Sequence, residues 1–177
     1  MSYNIDSIKM VISDIDGVWT DGCVYIGNEN YEMKKFNVND GAGVALLRVS
    51  GIKLALISGR KSIATELRAA ELKIEDVYNG TLNKIIPYKE IKSKYDLKDS
   101  EIAYIGDDLI DIPVMEKVGV PIATENAVDL CKKASVHITK KSGGDGAFRE
   151  AVEWILTEQG RLEKVILDLK NKVLEQK

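Results

Sequence analysis

Met10-Val11-Ile12-Ser13-Asp14-Ile15-Asp16-Gly17-Val18-Trp19-Thr20-Asp21-Gly22 is the stretch on which the fold turns. Its apolar opening, Met10 to Ile12, reads as a strand buried on both faces, as strands inside parallel sheets are. Two carboxylates, Asp14 and Asp16, follow at the strand's exit, and Gly17 breaks the pattern. Open α/β sheets bind ligands beyond the carboxyl ends of their strands, so acidic side chains there point to chemistry. An acidic turn is the alternative for this pair taken alone.

The same pattern recurs outward along the chain. Lys53 to Ile57 reads as a second buried strand that stops at Ser58-Gly59-Arg60, with helical patterns on either side at 41–48 and 62–72. Strand 76–78, helix 87–95, strand 102–105 and helix 109–118 follow in the same sense, then short strands at 120–123 and 136–138 around a helix at 127–133. Pro121 predicts an edge position for its strand, because proline cannot donate to a ladder. Alternating strands and helices predict an α/β fold with a mostly parallel sheet covered on both faces. Asp14, Ser58 and Asp107 then all lie just beyond strand ends, although they are far apart in sequence.

Two further segments stand outside this alternation. Residues 22–38 hold strand-favouring runs at Cys23 to Ile26 and Tyr31 to Phe36 around the polar turn Gly27-Asn28-Glu29-Asn30, which predicts a β-hairpin. The hairpin either covers its own domain or buries an oligomer contact. Beyond Gly143-Gly144-Asp145-Gly146 and a helix at 147–156, Leu162, Val165, Ile166, Leu169 and Val173 give a last helical pattern rich in lysine and glutamate. It either caps the domain, packs on a neighbour or stays partly mobile.

The chain of 177 residues is expected to form one domain, 1–177, with a substantial core. Its 25 basic and 28 acidic residues are well mixed and leave a net charge of −3, which argues against a nucleic-acid-coating surface. Two cysteines, Cys23 and Cys131, make neither a disulfide scaffold nor a zinc cluster. With no long apolar segment or leader pattern, a cytoplasmic protein without a membrane partner is expected.

The strand-end residues suit phosphoryl transfer. A carboxylate such as Asp14 can attack phosphorus, while a second, Asp16, can protonate the leaving alcohol and later activate water. Asp107, Asp108 and Asp111 can hold a hard divalent cation near Asp14, oxygen ligands being suited to magnesium, although aspartates at a helix start also serve as caps. Ser58 and Gly59 offer a hydroxyl and a backbone donor to a phosphate oxygen. Lys84 can neutralise both the nucleophile and the transferring group. Singly, Ser-Gly is an ordinary turn and a lone lysine an ordinary surface residue; their order relative to both acidic motifs is what counts.

With these residues in place, the chain resembles the haloacid-dehalogenase-like phosphatases. Asp14-Ile15-Asp16-Gly17-Val18 matches the nucleophile and acid/base motif, Ser58 the phosphate-binding hydroxyl, Lys84 the third motif, and Gly106-Asp107-Asp108 with Asp111 the metal-binding end. The resemblance implies a three-layer Rossmann-like fold without a large cap domain. It also implies Mg2+-dependent hydrolysis through a phosphorylated Asp14. Asp14, Asp107 and the Asp16 backbone carbonyl would surround the metal, with Asp108 and Asp111 behind them.

Wider similarity, over Asp14 to Gly22, Phe36 to Gly43, Ser58 to Ser62, Tyr104 to Asp108, Ile112 to Met115 and Gly143 to Glu150, is to a capless branch of that family acting on sugar-acid phosphates. The expected substrate is the 8-phosphate of an eight-carbon 2-keto sugar acid; the alternatives are a nonulosonic acid 9-phosphate or a catalytically silent relative. That branch implies a homotetramer, with 22–37 as the assembly hairpin and 160–177 as a C-terminal helical extension. Arg60 is the leading candidate for the sugar-acid carboxylate, since guanidinium offers directed paired donors. An exposed helix-start cation is its alternative role. Lys61 and the Gly143–Gly146 loop are further substrate-region candidates. Arg149 either organises that loop or pairs with Glu150 or Glu153. Where the branch usually carries leucine after the first motif's valine, this chain has Trp19. His137, Cys23, Cys131 and Trp154 are expected to be structural.

Overall fold

A computed structural model describes residues 3–28 and 31–175. Glu29 and Asn30 of the expected hairpin turn, and residues 176–177 of the C-terminal extension, lie outside the described residues.

The quoted stretch opens as strand β1 (Met10–Ser13), buried at every position. It lies between β4 (Lys53–Ser58) and β6 (Ile102–Gly106), with β5 (Asp76–Asn79) outside β4, and β7 (Val120–Ala123) and then β8 (His137–Ile138) outside β6. All five pairings in this six-stranded sheet are parallel. A pair of short antiparallel strands, β2 (Tyr25–Ile26) and β3 (Glu32–Met33), forms a separate hairpin.

Because side chains alternate along a strand, β1 feeds two cores. Val11 faces a cluster made with α1 (Val38–Ser50), α2 (Ile63–Glu71), α6 (Ala147–Glu158) and α7 (Leu162–Leu174). Met10 and Ile12 face the other side, where Tyr88 and Ile91 of α3 (Ile85–Tyr95), Val114 and Met115 of α4 (Ile112–Met115) and Cys131 of α5 (Asp129–Ala134) complete a second cluster. The result is the expected three-layer, Rossmann-like α/β fold with a small hairpin and, among the described residues, no large cap.

Local chemistry sets the ends of α1. The Asn37 side chain accepts from Asn39 N, a cap contributing about 1 kcal/mol, and Gly51 closes the helix with φ 79°. α7 packs through Leu162, Val165, Ile166 and Leu169, whereas Val173 and Leu174 are exposed. His137 stacks on Trp154 with ring centroids 4.1 Å apart, in keeping with a structural role. Both cysteines are free, Cys23 exposed and Cys131 buried.

Three expectations need correction. β7, with Pro121, is interior rather than an edge strand; β8 is the edge. Pro121 O accepts from Val136 N, so its missing N–H points to the same side, where β8 has not yet begun. The helix expected at 109–118 is reduced to Ile112–Met115, because residues 107–111 wrap around the Asp111 carboxylate instead of coiling. The hairpin strands are two residues each, shorter than their strand-favouring runs.

Candidate active site

β1, β4 and β6 deliver their C-terminal residues to one edge of the sheet, and a cleft of about 330 Å³ opens there. Asp14, Asp16, Gly22, Val24, Gly59, Arg60, Leu82, Asp107, Asp108 and Ile110 line it.

Asp14 follows β1 directly, its amide donating to Ile105 O of the neighbouring strand at 2.9 Å. The backbone then folds over itself: Val18, Trp19 and Thr20 amides all donate to Ile15 O, and Gly17 adopts φ 86°. Glycine is required there twice over, since a side chain would be strained at that φ and a Cβ would overlap the Asp107 carboxylate. Neighbouring loops pin this turn. Thr124 Oγ1 and Asn126 Nδ2 donate to Gly17 O, Gly144 N donates to Val18 O, and Asn126 Oδ1 accepts from Gly143 N. The Gly143–Gly146 loop therefore buttresses the turn from behind and is not among the residues lining the cleft. Trp19 is buried beneath, stacked on Phe148 at 4.1 Å, and its indole N–H donates to Ser13 Oγ, which donates to Asp14 O.

Lys84, just before α3, is almost wholly buried, with Nζ 2.6 Å from both Asp14 Oδ1 and Asp111 Oδ1. Burial alone would depress its ammonium; Asp14 and Asp111 outweigh that and hold it above the usual lysine range. Asp111 is saturated with donors. Oδ1 accepts from Lys84 and Tyr104 Oη, and Oδ2 accepts from Asp107 N and Asp108 N. It orients the acidic loop and Lys84 from behind.

Asp14, Asp107 and Asp111 each place a carboxylate oxygen within 4.8 Å of the others. Burial first, then Lys84 in the opposite sense and Asp111 in the same sense, leave the Asp14 carboxyl above the ordinary range. Burial, then Asp14 and Asp111, push Asp107 up further. Asp107 Oδ1 is buried and has no hydrogen-bond partner. Two carboxylates paired with one ammonium, and a third beside them with an unpartnered oxygen, suit a hard divalent cation. Asp108 is exposed, its Oδ1 accepting from Leu109 N.

The remaining sequence candidates divide. Ser58 ends β4 buried, with Oγ donating to Arg60 O, a bond it must exchange to donate to a ligand. Gly59 and Arg60 line the cleft, but Arg60 is paired with Glu32 of the hairpin. That pairing lowers the Glu32 carboxyl and raises the guanidinium. Lys61 is exposed and outside the lining. Arg149 pairs with Glu153 at 2.8 Å, while Glu150 accepts from Lys140 and Lys141 amides.

Sequence reasoning missed Lys34, Glu32 and Tyr104. Lys34 Nζ reaches Asp16, lying 2.7 Å from Oδ1 and 2.9 Å from Oδ2. The signal for Lys34 and Glu32 was their spacing: residues two apart on a strand share a face. Tyr104 sits inside an apolar strand, where its hydroxyl needed a buried partner.

Residues 70–150 match the family model described as haloacid dehalogenase-like hydrolase. The chain is 42% identical over 159 residues to the 3-deoxy-D-manno-octulosonate 8-phosphate phosphatase of Escherichia coli K12, covering 90% of this chain and 85% of that protein. The Yersinia pestis enzyme of that name superposes with TM-score 0.87 at 41% identity, over 90% of this chain and 86% of that one. The Moraxella catarrhalis enzyme, crystallised with a magnesium ion, a phosphate ion and a KDO molecule, superposes with TM-score 0.88 at 37% identity, over 92% and 94%. With likeness across nine-tenths of its length and an aspartate cluster at the sheet edge, the chain belongs to the haloacid dehalogenase-like hydrolases, in the 3-deoxy-D-manno-octulosonate 8-phosphate phosphatase family.

Proposed function

We propose that this protein hydrolyses 3-deoxy-D-manno-octulosonate 8-phosphate to the free sugar acid and phosphate in a magnesium-dependent reaction. The observation that carries this reading is the buried Asp14–Lys84 pair beside the orphaned Asp107 oxygen, in a chain 42% identical to phosphatases of that name.

Asp14 is the nucleophile. Its carboxylate attacks phosphorus as the sugar oxygen leaves with a proton from Asp16, and Asp16 then takes a proton from the water that releases phosphate and restores Asp14. Lys84 faces the attacking oxygen with fixed positive charge, which costs no reorganisation as charge develops. Ser58 and the Gly59 amide are the donors assigned to the phosphate oxygens. Magnesium would be held by the Asp14 and Asp107 carboxylates and the Asp16 carbonyl, with Asp108 and Asp111 behind. When bound, it supplies positive charge to the phosphate oxygens and lets a carboxylate approach an anionic ester. Arg60 is assigned to the sugar carboxylate, sharing its guanidinium with Glu32; Lys61 is the more peripheral substrate residue.

We also infer a single domain, 1–177, working in the cytoplasm as a homotetramer. Tyr25, Ile26, Tyr31 and Met33 of hairpin 22–37 are all at least half exposed, an apolar surface that packing of like hairpins would cover. Among the described residues, no helix is long and apolar enough to cross a membrane.

Phosphate release from the eight-carbon 8-phosphate and from a nonulosonic acid 9-phosphate, each with and without magnesium, tests the assignment. Faster specific turnover of the eight-carbon substrate is expected, and preference for the nine-carbon ester would overturn it. Asp14→Asn should stay folded while turnover falls at least roughly 10⁴-fold, as for removal of other covalent nucleophiles.

A further inference from the structure

The hairpin reaches into the acid/base chemistry of its own subunit. Glu32 and Lys34 stand two residues apart on extended chain, so both side chains leave on one side and Met33 leaves on the other. Met33 is exposed, Glu32 pairs with Arg60, and the Lys34 side chain has no exposure at all. A lysine is almost never buried to this degree unless it is paired. Its partner is the Asp16 carboxylate, to which Lys34 Nζ hydrogen-bonds at Oδ2, 2.9 Å away. Oδ1 lies closer still, 2.7 Å from the same nitrogen, and is buried, so the ammonium holds both oxygens of the carboxylate.

We propose that Lys34 is the positioning residue of Asp16, holding its carboxyl group in the orientation from which it gives and takes the proton. This rests on the phosphatase reading above. In the first half-reaction the bond from Asp14 to phosphorus forms, the bond from phosphorus to the sugar oxygen breaks, and the Asp16 carboxyl proton moves to that oxygen. In the second, a water oxygen bonds phosphorus, its proton goes to Asp16, and the bond to Asp14 breaks. Lys34 is not among the residues that line the cleft; it acts through the Asp16 carboxyl group, whose place it fixes. The hairpin thereby ties assembly to turnover, because the clamp, Lys34, directly follows the strand that carries exposed Met33.

The test is a double-mutant cycle with two leaving groups. Lys34→Met should lower kcat on the sugar phosphate on the order of 10–100-fold, part of the usual worth of a positioned acid/base. KM should stay within about twofold, since substrate contacts are kept. With p-nitrophenyl phosphate, whose phenolate leaves without a proton, the first turnover should keep its rate and show a burst before a slow steady state. In an Asp16→Asn background, followed by single turnover, Lys34→Met should cost nothing further, and Lys34→Arg should recover part of the loss in the wild-type background. A raised KM with kcat kept, an equal loss in the phenolate burst, or a full loss persisting in Asp16→Asn would each overturn the proposal. If the methionine variant does not fold, Lys34→Gln enters the same cycle and is judged by the same outcomes. Wild-type protein inactive on every sugar-acid phosphate would defeat the substrate reading instead, leaving the p-nitrophenyl phosphate arm to judge Lys34.

Discussion

Lys84 Nζ lies 2.6 Å from Asp14 Oδ1, and neither side chain is more than 6% exposed. Asp111 shares the same ammonium from the far side. A buried charge that loses its only counter-charge is far costlier than a pair replaced whole. Lys84→Met should therefore destabilise the metal-free protein by about 3–5 kcal/mol and abolish turnover. Urea denaturation at neutral pH checks the first part, and a change below about 1 kcal/mol, the scale of an exposed ion pair, would contradict it.

Removing the proposed cation bears on the same cluster. Asp14, Asp107 and Asp111 repel one another with only Lys84 between them, so a divalent ion should bind the folded state and stabilise it. At a free magnesium concentration 100-fold above Kd the gain is about 2.7 kcal/mol. Thermal melts in magnesium and in chelator should differ accordingly. Asp107→Asn, which replaces the orphaned carboxylate by a neutral amide, should reduce that difference; an unchanged response would place the ion elsewhere.

The fold and much of this cluster are legible in the sequence, for identifiable reasons. Apolar runs such as Met10–Ile12 and Ala55–Ile57 are buried on both sheet faces, and their acidic or Ser-Gly endings mark one edge of the sheet. What stayed hidden depended on partners distant in sequence. Lys34 looks like any charged hairpin residue until the hairpin folds over Asp16, 18 positions earlier. Arg60 looked free for a substrate carboxylate because its partner Glu32 lies across the cleft on another element. The helix expected from Leu109 failed because Asp111 takes the amides of Asp107 and Asp108, a local competition that apolar periodicity does not register.

Asp40 should give stability a distinct pH dependence. It is fully buried on α1, and its Oδ1 accepts from Arg149 N in the first turn of α6, capping a neighbouring helix. Burial, only partly offset by that bond, raises its carboxyl from 3.8 to about 6. Between those values the folded state holds more protons than the unfolded one, so stability falls as pH rises through them and is greatest below. The loss for this group is about 2–3 kcal/mol. Asp40→Asn keeps the oxygen facing Arg149 N and cannot ionise. Stability of the variant minus that of wild type should climb by that amount between pH 4 and 6.5, then level off; a flat difference curve across the range would refute the assignment.

Gly17→Ala tests whether the turn after the nucleophile was shaped by the acidic loop opposite. At φ 86° an alanine costs roughly 1–2 kcal/mol in backbone strain alone. Its methyl would also overlap the Asp107 carboxylate, which has to move. A strained turn alone would lower stability and leave magnesium affinity intact. Displacement of Asp107 would weaken magnesium binding as well. Titrating magnesium into the folded variant by calorimetry separates the two, and a clear loss of affinity is expected. Gly51→Ala, at φ 79° where a Cβ meets nothing within 4 Å, provides the control: it pays the strain and should keep both magnesium affinity and turnover.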